Sequence, residues 1–171
     1  MENCVLVDVL RSELNIVFCG TAAGRKSAAR GAYYAGPGNQ FWPVLTEIGL
    51  VPCRLEPEEF RSLAKFNIGL TDIAKHASGA DAHLKRHDFD VDGFKKRLLK
   101  FAPRVIAFNG KKAASLVLGC QTRSVMYGLQ ATKLGSAMLF VLPSTSAAAR
   151  RYWNTQHWFD LAALLRSSGP A

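Results

Sequence analysis

Apolar residues fall into short runs separated by amphipathic segments, an alternation that predicts strands interleaved with helices. Residues 15–19 (NIVFC) read as a buried strand entering a turn at Gly20. In residues 40–50 (QFWPVLTEIGL), Phe41, Leu45 and Ile48 share one helical face. Pro57 with Glu58 and Glu59 suits a first helical turn, where proline's missing N–H costs nothing and acids oppose the dipole. That helix is expected to run to about Lys65. Residues 67–74 (NIGLTDIA) read as a second strand, and 91–102 as a basic amphipathic helix ending before Pro103. A third strand is predicted over 104–110, followed by a helix over KKAASLVLG. A fourth strand covers 137–144 and runs into a turn at Pro143. Residues 147–166 read as a closing helix, irregular around Trp153 and Asn154.

Strands alternating with helices predict an α/β fold: a three-layer α/β/α sandwich around a mainly parallel sheet of about four strands. The length, 171 residues, suits one domain spanning residues 1–171. Ligand-binding loops of such a sheet lie at the carboxyl ends of its strands. Here they begin near Gly20, Thr71, Asn109 and Pro143.

Charge narrows the partner. There are 22 Lys and Arg against 13 Asp and Glu, a net +9. A polyanion is favoured, nucleic acid before membrane, because phosphate contacts release counterions. No apolar run approaches the roughly 20 residues of a membrane helix. The opening stretch carries acids early, so no secretory leader is expected. The four cysteines, Cys4, Cys19, Cys53 and Cys120, form no C-x-x-C pair and fit no zinc or iron–sulfur spacing. Free thiols in a reducing cytosol are expected. His76, His83, His87 and His157 are not spaced as a metal site. No metal or cofactor is implied.

The glycine-rich stretch after the first strand invites a phosphate-loop reading, but the spacing fails. Nucleotide hydrolases use G-x-x-x-x-G-K-[ST]. Here Gly20 and Gly24 are separated by three residues, and Arg25 intervenes before Lys26 and Ser27. Loop length sets where backbone N–H groups point, so this mismatch argues against nucleotide hydrolysis. G-x-G-x-x-G is also absent. The next stretch, AYYAGPGNQFW, carries more information: it places Tyr33, Tyr34, Phe41 and Trp42 around a Gly36-Pro37-Gly38 turn. Aromatics at the ligand edge of a sheet stack on flat rings or cap the core. Core capping fits Phe41 and Trp42, while Tyr33 and Tyr34 precede the turn and are placed to reach a pocket.

The segment IVFCGTAAG, followed by YYAGPGNQFW, resembles the mismatch-specific uracil-DNA glycosylases and their deoxyinosine-removing relatives. The resemblance continues in GLTDI (69–73), IAFNGKKA (106–113) and VLPSTS (141–146), covering nearly the whole chain. It implies a DNA glycosylase that flips a base out of the stack and cuts its glycosidic bond, since a base inside a duplex is out of reach. The implied partner is DNA containing uracil, or hypoxanthine as second choice, with an abasic-site product. A monomer, cytoplasmic and nucleoid-associated, is expected, with no membrane contact. No lysine is placed to form a Schiff base with the sugar, so no lyase step is expected.

The resemblance also implies roles. Tyr34 matches the aromatic that stacks on the base, and the backbone of Thr21, Ala22 and Tyr34 supplies donors and acceptors to its edge. One position departs from the pattern: where the mismatch-specific branch has a water-positioning Asn, this chain has Ala22, followed by Ala23. An alanine side chain can neither orient nor deprotonate water. Asp72 and Asn39 are the substitutes. Asp72 is either a catalytic carboxylate or a cap or turn acid; Asn39 either orients water or caps the following helix. Otherwise the rate derives from stabilising the departing uracil anion. Asn109 either reads the base or ends its strand in an ordinary turn. Arg25, Lys26 and Lys111, with Lys112 beside it, are expected to meet phosphate. Ser144 and Ser146 offer hydroxyls for the same purpose. The bulky wedge that relatives carry beyond this turn is replaced by Ala147 and Ala148, which leaves Arg150 or Arg151 to fill the gap in the duplex. Lys95, Lys96, Arg97 and Lys100 read as a solvated helix face. Ala22 also motivates a rival reading, a non-catalytic binder of damaged or abasic DNA.

Overall fold

A computed structural model describes residues 4–167. The expected domain span of 1–171 extends at both ends beyond the described residues. The described residues form one five-stranded sheet between two helical layers, in the order β2-β1-β3-β5-β4. The strands are β1 (Ile16–Ala23), β2 (Ile68–Ser78), β3 (Val105–Asn109), β4 (Gly128–Leu134) and β5 (Ala137–Leu142). The helices are α1 (Arg25–Arg30), α2 (Phe41–Glu47), α3 (Val91–Phe101), α4 (Lys111–Leu118) and α5 (Gln156–Ser167).

Strand periodicity builds the layers directly. On β1, Ile16 and Phe18 face a core shared with Phe41, Leu45, Phe60 and Trp158. Val17 and Cys19 point the other way, toward Phe94, Leu98, Ala113 and Val117. β3 and β5 repeat the split, with Ala107 and Phe140 on the first face and Phe108 and Val141 on the second. Strands buried on both faces read as continuous apolar runs, which is why these were visible in the sequence.

The mainly parallel sheet between helical layers is as expected, with one strand beyond the four anticipated. The extra one, β4, runs antiparallel to β5 at the edge, through a two-residue turn at Gly135 and Ser136. β1 does not stop at a turn at Gly20 but continues to Ala23, and β2 continues past Ala74 to Ser78. The segment Pro57–Phe66 is a 3-10 helix, closed at its start by reciprocal bonds between Glu56 and Glu59. The closing helix divides into a 3-10 turn, Ala147–Tyr152, and α5, with the break at 153–155.

The N-terminal segment lies antiparallel along the free edge of β2. Val5 N donates to Lys75 O at 2.7 Å, and Val9 and Leu70 exchange backbone bonds at 2.9 and 3.0 Å. A glycine at position 69 permits this approach, since a Cβ there would sit 2.6 Å from Val9 O. The contact delivers Asp8 beside the carboxyl-terminal half of β2.

Candidate active site

The parallel strands β1, β2 and β3 end on a common edge, and a cleft of about 1160 Å³ opens there. Its residues include Gly20, Thr21, Ala22, Tyr34, Asn39, Asp72 and Asn109, with Arg25, Lys26, Lys111, Ser144 and Ser146 also lining it. Sequence positions far apart are thus brought to one place.

The floor is set by strand register. β1 and β2 pair so that Gly20 lies beside Asp72. A Cβ at position 20 would fall 2.5 Å from Asp72 Oδ1 and 3.4 Å from the Tyr34 hydroxyl. The bare glycine is what lets the carboxyl lean across β1 into the cleft. Asp72 is therefore a strand residue and not a cap or turn acid. It is only 3% exposed.

Burial pushes the Asp72 pKa from the ordinary 3.8 up to about 7. Lys75 and Arg97 draw it down and Asp8 pushes it up, but loss of hydration outweighs them. Nearby donors are committed to Asp8 rather than to Asp72. Lys75 Nζ donates to Asp8 Oδ1 at 2.5 Å and to Leu6 O at 2.7 Å, and Thr71 Oγ1 donates to Asp8 Oδ1 at 2.8 Å. Arg97 reaches the Asp72 backbone oxygen at 3.2 Å and pairs with Asp8 at 3.4 Å. The expectation that Arg97 belongs to a solvated face is thus corrected. It follows Phe94 by three positions and turns inward beside it.

Tyr34 occupies the wall. Its backbone is in the left-handed region, with φ 55°, and its ring lies 4.1 Å from that of Phe41 at 31°. Its hydroxyl is buried beside the side chains of Asp72 and Asn109. Burial raises its pKa well above the usual value and the Asp72 charge adds to this, while a hydrogen bond with the Asn109 side chain draws it down. Tyr33, expected to reach the pocket with Tyr34, does line the cleft, but it is 1% exposed and turns its hydroxyl toward Asp8 and Lys75.

The opposite wall is a latch. Asn109 Nδ2 donates to Thr145 Oγ1 at 2.8 Å, and Thr145 N donates to Asn109 Oδ1 at 2.9 Å. The Asn109 amide also neighbours the buried Tyr34 hydroxyl. The turn at 143–146 is anchored from behind by Trp158, whose Nε1 donates to Pro143 O at 3.3 Å, and by Gln40 N, which donates to Thr145 O at 2.9 Å. Asn39 accepts from Phe41 N at 3.0 Å, a local turn ahead of α2 that occupies its side-chain oxygen but leaves its amide N–H groups. Ser144 Oγ accepts from Ser146 N, and Ser146 Oγ from Ala148 N.

The rim is basic. Lys111 Nζ lies 4.5 Å from the Tyr127 ring centre and Lys112 Nζ 5.7 Å from that of Phe89. Arg150 packs toward Gly38 on the far side of the 143–146 turn, and Arg151 covers the ring of the cleft-lining Tyr152 at 4.6 Å. The cleft is lined at this point by Ala147, Ala148, Ala149 and Tyr152. Sequence reasoning missed Asp8, Lys75 and Tyr152. Thr21 Oγ1 donates to Asp81 at 3.5 Å, placing a second carboxylate at the mouth. Among the described residues no group of three or more His, Cys, Asp or Glu side chains gathers to hold a metal.

Two comparisons accord with this geometry. Residues 7–164 match the sequence pattern of the uracil DNA glycosylase superfamily. A solution NMR structure of a protein from Methanosarcina acetivorans, described as a candidate uracil DNA glycosylase, superposes with a TM-score of 0.62. It is 25% identical, and the match covers 95% of each chain.

Proposed function

Because the chain belongs to the uracil DNA glycosylase superfamily, which makes it a DNA glycosylase acting on DNA, we propose that it hydrolyses the N-glycosidic bond of uracil and leaves an abasic site. The observation that carries this reading is the Asp72 carboxyl. It sits buried at the cleft floor over a bare glycine, and its neighbouring donors are spent on Asp8. Such a group is ionised only above about pH 7 and faces a substrate rather than a structural partner.

In this mechanism the extruded base lies against Tyr34, and the Asn109 side chain and the backbone at Thr21 and Ala22 meet its edge. Stretching the glycosidic bond builds positive charge on the sugar and negative charge on the base. The Asp72 carboxylate stabilises the first and takes a proton from the attacking water, while the amide donors stabilise the second. Asn39 is the alternative water-orienting group, through its free amide. Arg25, Lys26, Lys111, Ser144 and Ser146 grip phosphates around the rim. No step forms a covalent bond to the protein, so the enzyme is monofunctional.

The test is release of free base from oligonucleotides carrying uracil, hypoxanthine or only normal bases. Uracil release exceeding hypoxanthine release, with an abasic product, supports the proposal. Release of hypoxanthine alone would reassign the substrate. Ala22 favours a second reading, a binder of abasic DNA, and tight abasic-site binding with no base release would establish that instead.

A further inference from the structure

We propose that Tyr152 is a stacking platform for an unpaired nucleobase beside the extruded one, which makes single-stranded DNA the preferred substrate. This rests on the uracil-excising reading for the identity of the cleft, but not for its own test.

Three observations lead here. The first is the lining of the cleft beyond the 143–146 turn. Ala147, Ala148 and Ala149 present only methyl groups to it. Flipping a base out of a duplex leaves a gap, and unstacking costs a few kcal/mol per step unless a side chain fills it. Methyl groups fill nothing of that size. In a single strand the base is already unpaired and the cost is smallest.

The second is Tyr152 itself. It closes the same 3-10 turn, lines the same cleft as Asp72, and is 55% exposed. A large ring that exposed contributes little to the core. Arg151 lies 4.6 Å from the ring centre and donates to its hydroxyl, so the ring is held in place with a cation over it. More than half of its surface is left for a ligand.

The third is repetition. Tyr127 also lines the cleft, with Lys111 Nζ 4.5 Å from its ring centre. Two aromatics, each paired with a cation, thus line the same cleft. Rings that take base faces and cations that take phosphates are how proteins hold single strands without reading sequence.

The experiment is binding, independent of catalysis. Fluorescence anisotropy compares a uracil-free single strand of about fifteen nucleotides with its duplex, at one salt concentration, for the wild type and for Tyr152→Ala, Tyr152→Phe and Tyr152→Trp. The wild type is expected to bind the single strand more tightly. Tyr152→Ala should weaken single-strand binding about tenfold, with duplex binding changed less than twofold, while Phe and Trp retain it. A 2-aminopurine next to uracil should be quenched on binding wild type and not on binding Tyr152→Ala. Thermal melting of each variant separates lost stacking from lost fold. Equal or tighter duplex binding, or wild-type single-strand affinity in a folded Tyr152→Ala, overturns the proposal. Retained Tyr152-dependent stacking in a protein that releases no uracil sinks the glycosylase reading and leaves this one standing.

Discussion

Replacing Asp72 with Asn should slow base release at least about a hundredfold and shift stability relative to wild type in the variant's favour as pH rises. In the folded chain the carboxyl pKa is raised from 3.8 to about 7. A raised carboxyl pKa means that the folded state holds its proton more tightly than the unfolded state does. Between about pH 4 and 7 the native form therefore binds more protons, and stability falls as pH rises through that window. Above the window the loss is complete. A shift of about three units at 1.36 kcal/mol each comes to about 4 kcal/mol. Asn is uncharged and carries no such loss. It does carry a pH-independent cost of burying an amide. Subtracting the wild-type stability from that of the variant at about pH 4, and again at about pH 8.5, cancels that cost. The second difference should exceed the first by about 4 kcal/mol, or about 8–16 °C in Tm for a chain of this size. Urea titrations or melts in matched buffers measure it. A gap that does not change with pH, or that narrows toward alkaline pH, would refute the claim that an ionised Asp72 is held against its preference.

The same geometry sets three further outcomes. Gly20→Ala puts a Cβ 2.5 Å from Asp72 Oδ1 and displaces the carboxyl, so base release should fall at least tenfold, with circular dichroism unchanged. Thr145→Val removes the acceptor at 2.8 Å from Asn109 Nδ2, and the orphaned amide should cost about 1–3 kcal/mol in denaturant melts. Tyr34→Phe keeps the ring against Phe41 and should keep kcat/KM largely intact; Tyr34→Ala should lose it, and equal losses in both would refute stacking.

How far the sequence reached depends on the surroundings of each element. β1, β3 and β5 are covered on both faces, so their apolar runs were unmistakable. β4 carries Leu129, Ala131 and Leu134 among polar residues and is largely exposed, as an edge strand can be. Its signal was the Gly135-Ser136 pair, a two-residue hairpin loop between residues that prove to be strands. At the site, Gly20, Tyr34, Asp72 and Asn109 were legible because parallel strands deliver their carboxyl ends to one edge. The support beneath Asp72 was not. Asp8 meets Lys75 only because the N-terminal segment folds back along β2, and nothing local to either residue encodes that. Arg97 was hidden among Lys95, Lys96 and Lys100, although its spacing from Phe94 put it at the border of the buried face. Tyr152 reaches the cleft only because the chain folds into a 3-10 turn over Ala147–Tyr152, which nothing local to the ring encodes.

The most direct measurement is the single-turnover rate of uracil release from a single-stranded oligonucleotide across pH, for wild type and Asp72→Asn. The wild-type rate should climb about tenfold per pH unit below pH 7 and level off above it, as the carboxylate forms. The Asn variant should be slower by at least about a hundredfold at the plateau and flat with pH. A variant within a few fold of wild type, or one that keeps the same climb, would contradict the assignment of the chemistry to Asp72.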